Sequence, residues 1–213
     1  MKWRASNSIL KIKLKDEKMN IISLTPKNFQ NAVEIAAREI QLGGTVVAPT
    51  DTVYGILADA TNKKAIEKIF AIKNRSKEKP LPIFVKNMAM AGKLVKISPN
   101  QKKFLEEKWP GKFTFRMERK KTQKLFGIDE ETAALRIPFH PFINSLLETL
   151  NLPLCATSAN ISGQAASGKI DEVLRQFHGK IIIPDLAVNA GDLPQSKPSA
   201  IIDLTQTPPK IIR

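Results

Sequence analysis

Lys73 and Arg75 stand two residues apart in "IKNRSKEKPLPIF". Converging ammonium and guanidinium donors suit phosphate or carboxylate oxygens, and the guanidinium fork can hold two oxygens at once. Residues two apart do not share a face of a helix. Pro80 and Pro82 argue that the preceding helix has already ended. A helix that stops near Ile72 leaves an extended chain on which both cations point the same way. A solvated lysine-rich loop is the competing reading.

Two other short segments carry polar groups behind apolar runs. "CATSANISG" leaves an apolar strand with Ser158, Asn160 and Ser162 at period two, and Gly163 follows. An extended chain would line these up as a row of small donors and acceptors that a ligand could approach closely. A Ser/Asn turn and helix cap is the alternative. "VVAPTDTVYGI" places Thr50, Thr52 and Tyr54 on one side of an extended chain, with Gly55 giving room. An ordinary turn with Asp51 bonded locally fits the same residues; Asp51 either shapes that turn or touches a ligand, and the turn is the preferred reading.

Familiar constellations are missing. The sequence has no phosphate loop, no GxGxxG and no Cys/His/Asp cluster at metal-ligand spacing. His140 and His178 are distant from each other, and His140 reads as a cap or surface residue. The lone Cys155 excludes an internal disulfide. Aromatic residues, at 6%, lack the paired stacking pattern of an RNA-recognition sheet. No apolar run spans a bilayer, and the basic N-terminus lacks a signal-peptide core, so a cytoplasmic protein is expected.

The net charge of +14 is unevenly spread. Residues 1–20 carry six basic and two acidic side chains, residues 63–79 seven and two, and residues 102–124 nine and three. The remainder is near neutral. Patches of this kind point to polyanions, either nucleic acid or nucleotide phosphates.

Positioning these residues requires a scaffold. "LTPKNFQNAVEIAAREIQLGG" predicts a helix with Thr25 as N-cap, Pro26 at its first position and Gly43 ending it. Further helices are expected in "NKKAIEKIFAIK" behind Asn62, in "SPNQKKFLEEKW" behind Ser98, and in "HPFINSLLETLN" and "IDEVLRQFHG". Strands are expected at "TVVAP", "LPIFV", "FTFRME", "ALRIP", "LPLCAT", "KIIIPD", "AIIDL" and "KIIR". The alternation favours one α/β domain over residues 21–213 with a mixed sheet. Residues 1–20 form a basic extension, either disordered or an edge strand through "ILKIKLK", and Met19 is a second candidate start. In such sheets ligands gather beyond the carboxyl ends of strands.

"PTDTVYGI", "KNR" with "KPL", "WPGKFT", "LRIP", "TSANISG" and "KPSAIIDL" occur in the order seen in the YrdC family of threonylcarbamoyl-AMP synthases. The chain resembles that family over roughly residues 22–213. The resemblance implies an open, twisted α/β sheet with a basic concave face. It implies condensation of L-threonine, bicarbonate or CO2 and ATP to threonylcarbamoyl-AMP and pyrophosphate. That product serves the threonylcarbamoyladenosine modification of tRNA through a separate transferase. Lys73 and Arg75 match the family's KxR pair, implied as catalytic and on the phosphates and carbamate, with Lys77 and Lys79 extending the patch. Ser158 and Asn160 match its SxN motif on the nucleotide. Thr50, Arg136, the backbone at Ala156 and the Ser199 hydroxyl are implied for threonine. Thr132 and Arg213 are implied on the ATP side. Magnesium would travel with the triphosphate, without a dedicated protein site.

The sequence departs from the family pattern at Ser76 and Lys112, where proline is common, and at Ala200, where threonine is common. It stops at Arg213, where relatives continue, so no extra C-terminal domain is expected. A second reading is a YrdC-like module that holds tRNA or double-stranded RNA on its basic face and makes no adenylate.

Overall fold

In the computed structural model, residues 19–196 and 198–212 are described. The segment "ILKIKLK" and Arg213 lie outside them. Among the described residues, ten strands form one mixed sheet. In chain order they are β1 Asn20–Ser23, β2 Val46–Ala48, β3 Gly55–Asp59, β4 Ile83–Phe84, β5 Phe113–Glu118, β6 Thr132–Arg136, β7 Leu154–Ser158, β8 Leu186–Asn189, β9 Ala200–Asp203 and β10 Lys210–Ile211. Their order across the sheet is β1-β8-β2-β3-β7-β4-β6-β5-β9-β10. The β1–β8, β2–β8, β4–β6 and β5–β9 pairs are parallel. The β2–β3, β3–β7, β4–β7, β5–β6 and β9–β10 pairs are antiparallel.

Period-two alternation divides the side chains between two cores. Val46, Ala48, Leu57, Leu154 and Ala156 pack with α1 (Phe29–Gln41) and α5 (Pro141–Leu150). Val47, Ile56, Ala58 and Cys155 pack on the opposite face. There they meet α2 (Lys63–Lys73), α3 (Met88–Leu94), α4 (Pro99–Lys108) and α6 (Ile170–Phe177). The α1 and α5 roof reaches only to Phe84 on β4. Beyond it Phe115, Met117, Ala133, Leu135 and Ile202 fill the other core. Alternation therefore leaves Thr114, Arg116, Ala134, Arg136, Ile201 and Asp203 on a half-face that α1 and α5 leave unroofed, although loops bury Thr114 and Arg136.

Local chemistry accounts for most boundaries. The Asn62 side chain accepts from Lys64 N and Ala65 N at the start of α2. Ser98 and Gln101 form a capping box on α4, with Pro99 inside it. Gly43 turns the chain after α1 at φ +84°.

Several expectations are corrected. Helix α1 starts at Phe29, with Asn28 in the cap position. The Asn28 side chain instead accepts from Thr25 N and donates to Ser23 O, which makes Thr25 to Asn28 a turn before the helix. "KIIIPD" is not a strand. Pro184 cannot donate to a ladder, and the strand begins at Leu186 after Asp185 bonds to Thr45. Residues Gly55–Asp59, for which no element was expected, form the interior strand β3. Helix α2 ends at Lys73, near Ile72 as expected, but the chain then turns on Asn74 in the left-handed region, at φ 47°, instead of running extended. His140 occupies the cap position of α5 without a side-chain cap bond. Its buried Nδ1 has no partner among the described residues, and burial lowers its pKa.

Candidate active site

A cavity of about 290 Å³ opens on the unroofed half-face. Gly55, Ala156, Ser158, Phe84, Arg136, Thr114 and Ile201 contribute from six strands, and the loops carrying Thr50 to Tyr54, Arg75 and Ser199 close its sides. Seven of the residues that the family resemblance implies for the site line it: Thr50, Arg75, Arg136, Ala156, Ser158, Asn160 and Ser199; Thr52, Tyr54 and Gly55 line it too. Lys73 stands immediately behind. Lys77 is exposed on a turn and Thr132 lies farther along β6, both outside the lining.

Lys73 is 2% exposed. Its Nζ donates to Ser158 O at 2.5 Å, Asn160 O at 2.8 Å and Asn160 Oδ1 at 2.9 Å. All three ammonium donors are thus spent on the loop after β7. Burial, aided by the nearby Arg75 charge, lowers its pKa to about 8. The left-handed Asn74 then turns the chain, so Arg75 reaches the cavity by a different path from the extended one expected. Its Nε donates to Lys79 O and a terminal nitrogen donates to Pro80 O. The pair meets at one site, with one cation beneath it and one along its side.

Ser158 Oγ donates to Asn160 Oδ1 at 2.6 Å, and Asn160 Nδ2 donates to Ile161 O and Gln164 O. These bonds fold the segment into a compact bend. The expected row through Ser162 does not form: Ser162 is exposed and its N–H bonds to Lys73 O. Cys155 is fully buried, and burial pushes its thiol up to about 12, so it is no nucleophile.

Asp51 does not make the local turn. Thr50 makes it, accepting from Thr52 N and donating to Val53 O. Asp51 accepts from Arg136 NH2 at 2.6 Å and from Phe139 N at 3.2 Å. Arg136 also donates Nε to Gly111 O and lies over the Phe84 ring. Tyr54 lines the cavity and holds the loop after β8, donating to Gly191 O and accepting from Ala190 N. Ser199 Oγ lies 3.2 Å from Thr114 Oγ1. Thr114 was missed in the sequence, where its only signal is a hydroxyl amid "FTFRME"; Asp51 was read as a turn residue because its partner lies 85 residues away. Of the departures from the family pattern, Lys112 donates to Ser196 Oγ and the Ser76 hydroxyl accepts from Glu78 N. Ala200 opens β9.

The Sua5/YciO/YrdC family model, described as telomere recombination, matches residues 38–213. The chain belongs to the Sua5/YciO/YrdC family. Among its curated relatives is the threonylcarbamoyl-AMP synthase of Pyrococcus abyssi, 31% identical over 91% of this chain and 56% of the relative. A putative threonylcarbamoyl-AMP synthase of Methanocaldococcus jannaschii is 33% identical over 90% of this chain and 89% of the relative. The chain therefore spans little more than half the length of the first relative and most of the second. Pyrococcus abyssi Sua5, crystallised with L-threonine, superposes with a TM-score of 0.80 at 29% identity, covering 92% of this chain and 57% of that one. Escherichia coli YciO shares the fold, with a TM-score of 0.77 at 23% identity over 92% of this chain and 95% of its own. Within this Sua5/YciO/YrdC domain the KxR and SxN segments are joined through Lys73 Nζ. No group of three or more His, Cys, Asp and Glu able to hold a metal occurs among the described residues. No described helix is long and apolar enough to cross a membrane.

Proposed function

We propose that the chain is an L-threonylcarbamoyladenylate synthase, condensing L-threonine, bicarbonate or CO2 and ATP to threonylcarbamoyl-AMP and pyrophosphate. The observation that carries this reading is one cavity shared by Thr50, Arg136, Ala156 and Ser199 on one side and Arg75, Ser158 and Asn160 on the other. The threonine complex of Pyrococcus abyssi Sua5 on the same fold supports it.

In this reading the threonine amine adds to CO2, supplied as such or by dehydration of bicarbonate, and gives up a proton to form a carbamate. A carbamate oxygen attacks the α-phosphorus of ATP, the bond to the β-phosphate oxygen breaks, and pyrophosphate leaves. Two anions must be held together while charge builds on phosphate oxygens, so positioning and fixed cations do the work. Arg136 takes the threonine carboxylate, with Thr50, Ser199 and the Ala156 backbone around the rest of the amino acid. Arg75 takes phosphate and carbamate oxygens. Ser158 and Asn160 hold the nucleotide, and Lys73 fixes both while adding charge from below. Magnesium would come with the ATP and neutralise triphosphate charge, in keeping with its use of substrate phosphates as ligands. Lys77, Thr132 and Arg213 are assigned to the ATP side, outside the cavity lining. The product would pass in the cytoplasm to a separate transferase acting on tRNA.

Incubation with ATP, bicarbonate and labelled L-threonine should give threonylcarbamoyl-AMP and pyrophosphate. Lys73→Ala and Arg75→Ala should each lose about a hundredfold or more of this rate. No adenylate under conditions where a verified relative works would overturn the reading. The uneven charge favours a second reading, an RNA-holding module, which would give tight, salt-sensitive RNA binding and no adenylate.

A further inference from the structure

The half-face beyond the cavity has an order set by strand register. Thr114 pairs with Ile201, and one step along the β5–β6 register it faces Arg136. That row carries the floor of the cavity. The next row holds Ala134, Arg116 and Asp203. The row after it holds Thr132 opposite Glu118. Strand β4 runs parallel to β6 and antiparallel to β7, so stepping from Arg136 toward Thr132 also steps from Leu154 toward Ser158. Arg116 is therefore displaced from the Arg136 end of the site toward its Ser158 end. It lies roughly 7 Å from the Thr114 row along its strand.

The Arg116 guanidinium is anchored from one side. Its Nε donates to Thr132 Oγ1 at 3.0 Å, and that hydroxyl donates to Asp129 Oδ1. Its NH1 lies 3.4 Å from Asp203 Oδ2, at the outer limit of a hydrogen bond. The side chain is 40% exposed on the open face. Asp203 Oδ1 is already committed to Thr205 N and Oγ1. The enclosed volume of about 290 Å³ sits at the lower end for small-molecule sites. An amino acid together with a nucleoside triphosphate is large for such a site, and the adjoining sheet face around Arg116 offers surface for part of the nucleotide.

Resting on the synthase reading above, we propose that Arg116 binds the distal phosphates of the nucleotide, and with them the departing pyrophosphate. Thr132 acts through Arg116 as a positioning residue, since its hydroxyl is occupied on both sides. A cation pre-set by a neutral hydroxyl and only loosely held by a carboxylate can turn its terminal nitrogens to phosphate oxygens without breaking a tight ion pair.

Calorimetric titration of the full chain with magnesium ATP, AMP and L-threonine tests this. Arg116→Gln should weaken ATP binding about tenfold or more and leave AMP and L-threonine unchanged. Thr132→Val should move ATP affinity the same way by less. Arg116→Lys, which keeps the charge and loses the Thr132 tether, should fall between. Unchanged ATP affinity in Arg116→Gln, or equal losses for all three ligands, would overturn the inference. A wild-type chain that binds neither ATP nor L-threonine would instead bring down the synthase reading, and this one with it.

Discussion

Asp51 and Arg136 face each other with side chains only 8% and 4% exposed. Removing one member of a buried pair strands the other charge, at about 3–5 kcal/mol. Asp51→Ala should lose about that much stability in denaturant unfolding, and should raise the KM for L-threonine because the Arg136 fork is no longer fixed. A loss below about 1 kcal/mol would mean water reaches Arg136 freely. Lys73 makes a pH prediction. Burial lowers its pKa from 10.5 to about 8. Between these values the folded chain releases a proton that the unfolded chain keeps. The unfolded state binds more protons, so stability rises with pH across that window. Lys73→Met should abolish that rise. Activity should run the other way, because a neutral amine offers two donors to three oxygens and loses its charge. A pH–rate profile flat from about pH 7 to 10 would contradict this assignment of Lys73.

At the scale of elements, the site depends on how loops are stapled to strands. Gly127, between β5 and β6, accepts from Leu81 N just before Pro82 enters the cavity lining. Its φ is +68°, and a Cβ there would lie 2.7 Å from Ile66 Cγ2 and 3.2 Å from both Leu81 Cδ1 and Phe70 Cε2. Gly127→Ala combines left-handed strain with overpacking and should cost about 2–4 kcal/mol. Thermal unfolding should register this as a fall of several degrees; an unchanged midpoint would show that the loop can shift away from α2. The helix caps were legible because Asn62 and Ser98 bond backbone groups two or three residues away and Pro99 fits the first helical position. The start of α1 was not, because Asn28 and Thr25 satisfy each other in a turn that competes with a longer helix. Strand β3 was hidden because a short segment opening on glycine resembles a turn until β2 and β7 pair with it.

At the scale of the molecule, the charge of +14 makes salt dependence a direct test. Raising ionic strength from about 0.01 M to 0.15 M shortens the screening length from about 30 Å to 8 Å. The KM for ATP should rise across that range while the KM for zwitterionic L-threonine stays nearly constant. Equal responses would separate the basic surface from nucleotide capture. By itself the sequence determined the α/β class, most helices, and the short segments that carry Lys73, Arg75, Ser158, Asn160, Thr50 and Arg136. Periodicity, caps and local polar spacing are properties of neighbouring residues, so a linear reading reaches them. Only the tertiary structure decided that Lys73 spends its donors on the Ser158–Asn160 loop, that Asp51 pairs with Arg136, and that the roof ends at Phe84. The two contacts join residues 87 and 85 positions apart, and the roof's edge is set by a strand order that does not follow the chain.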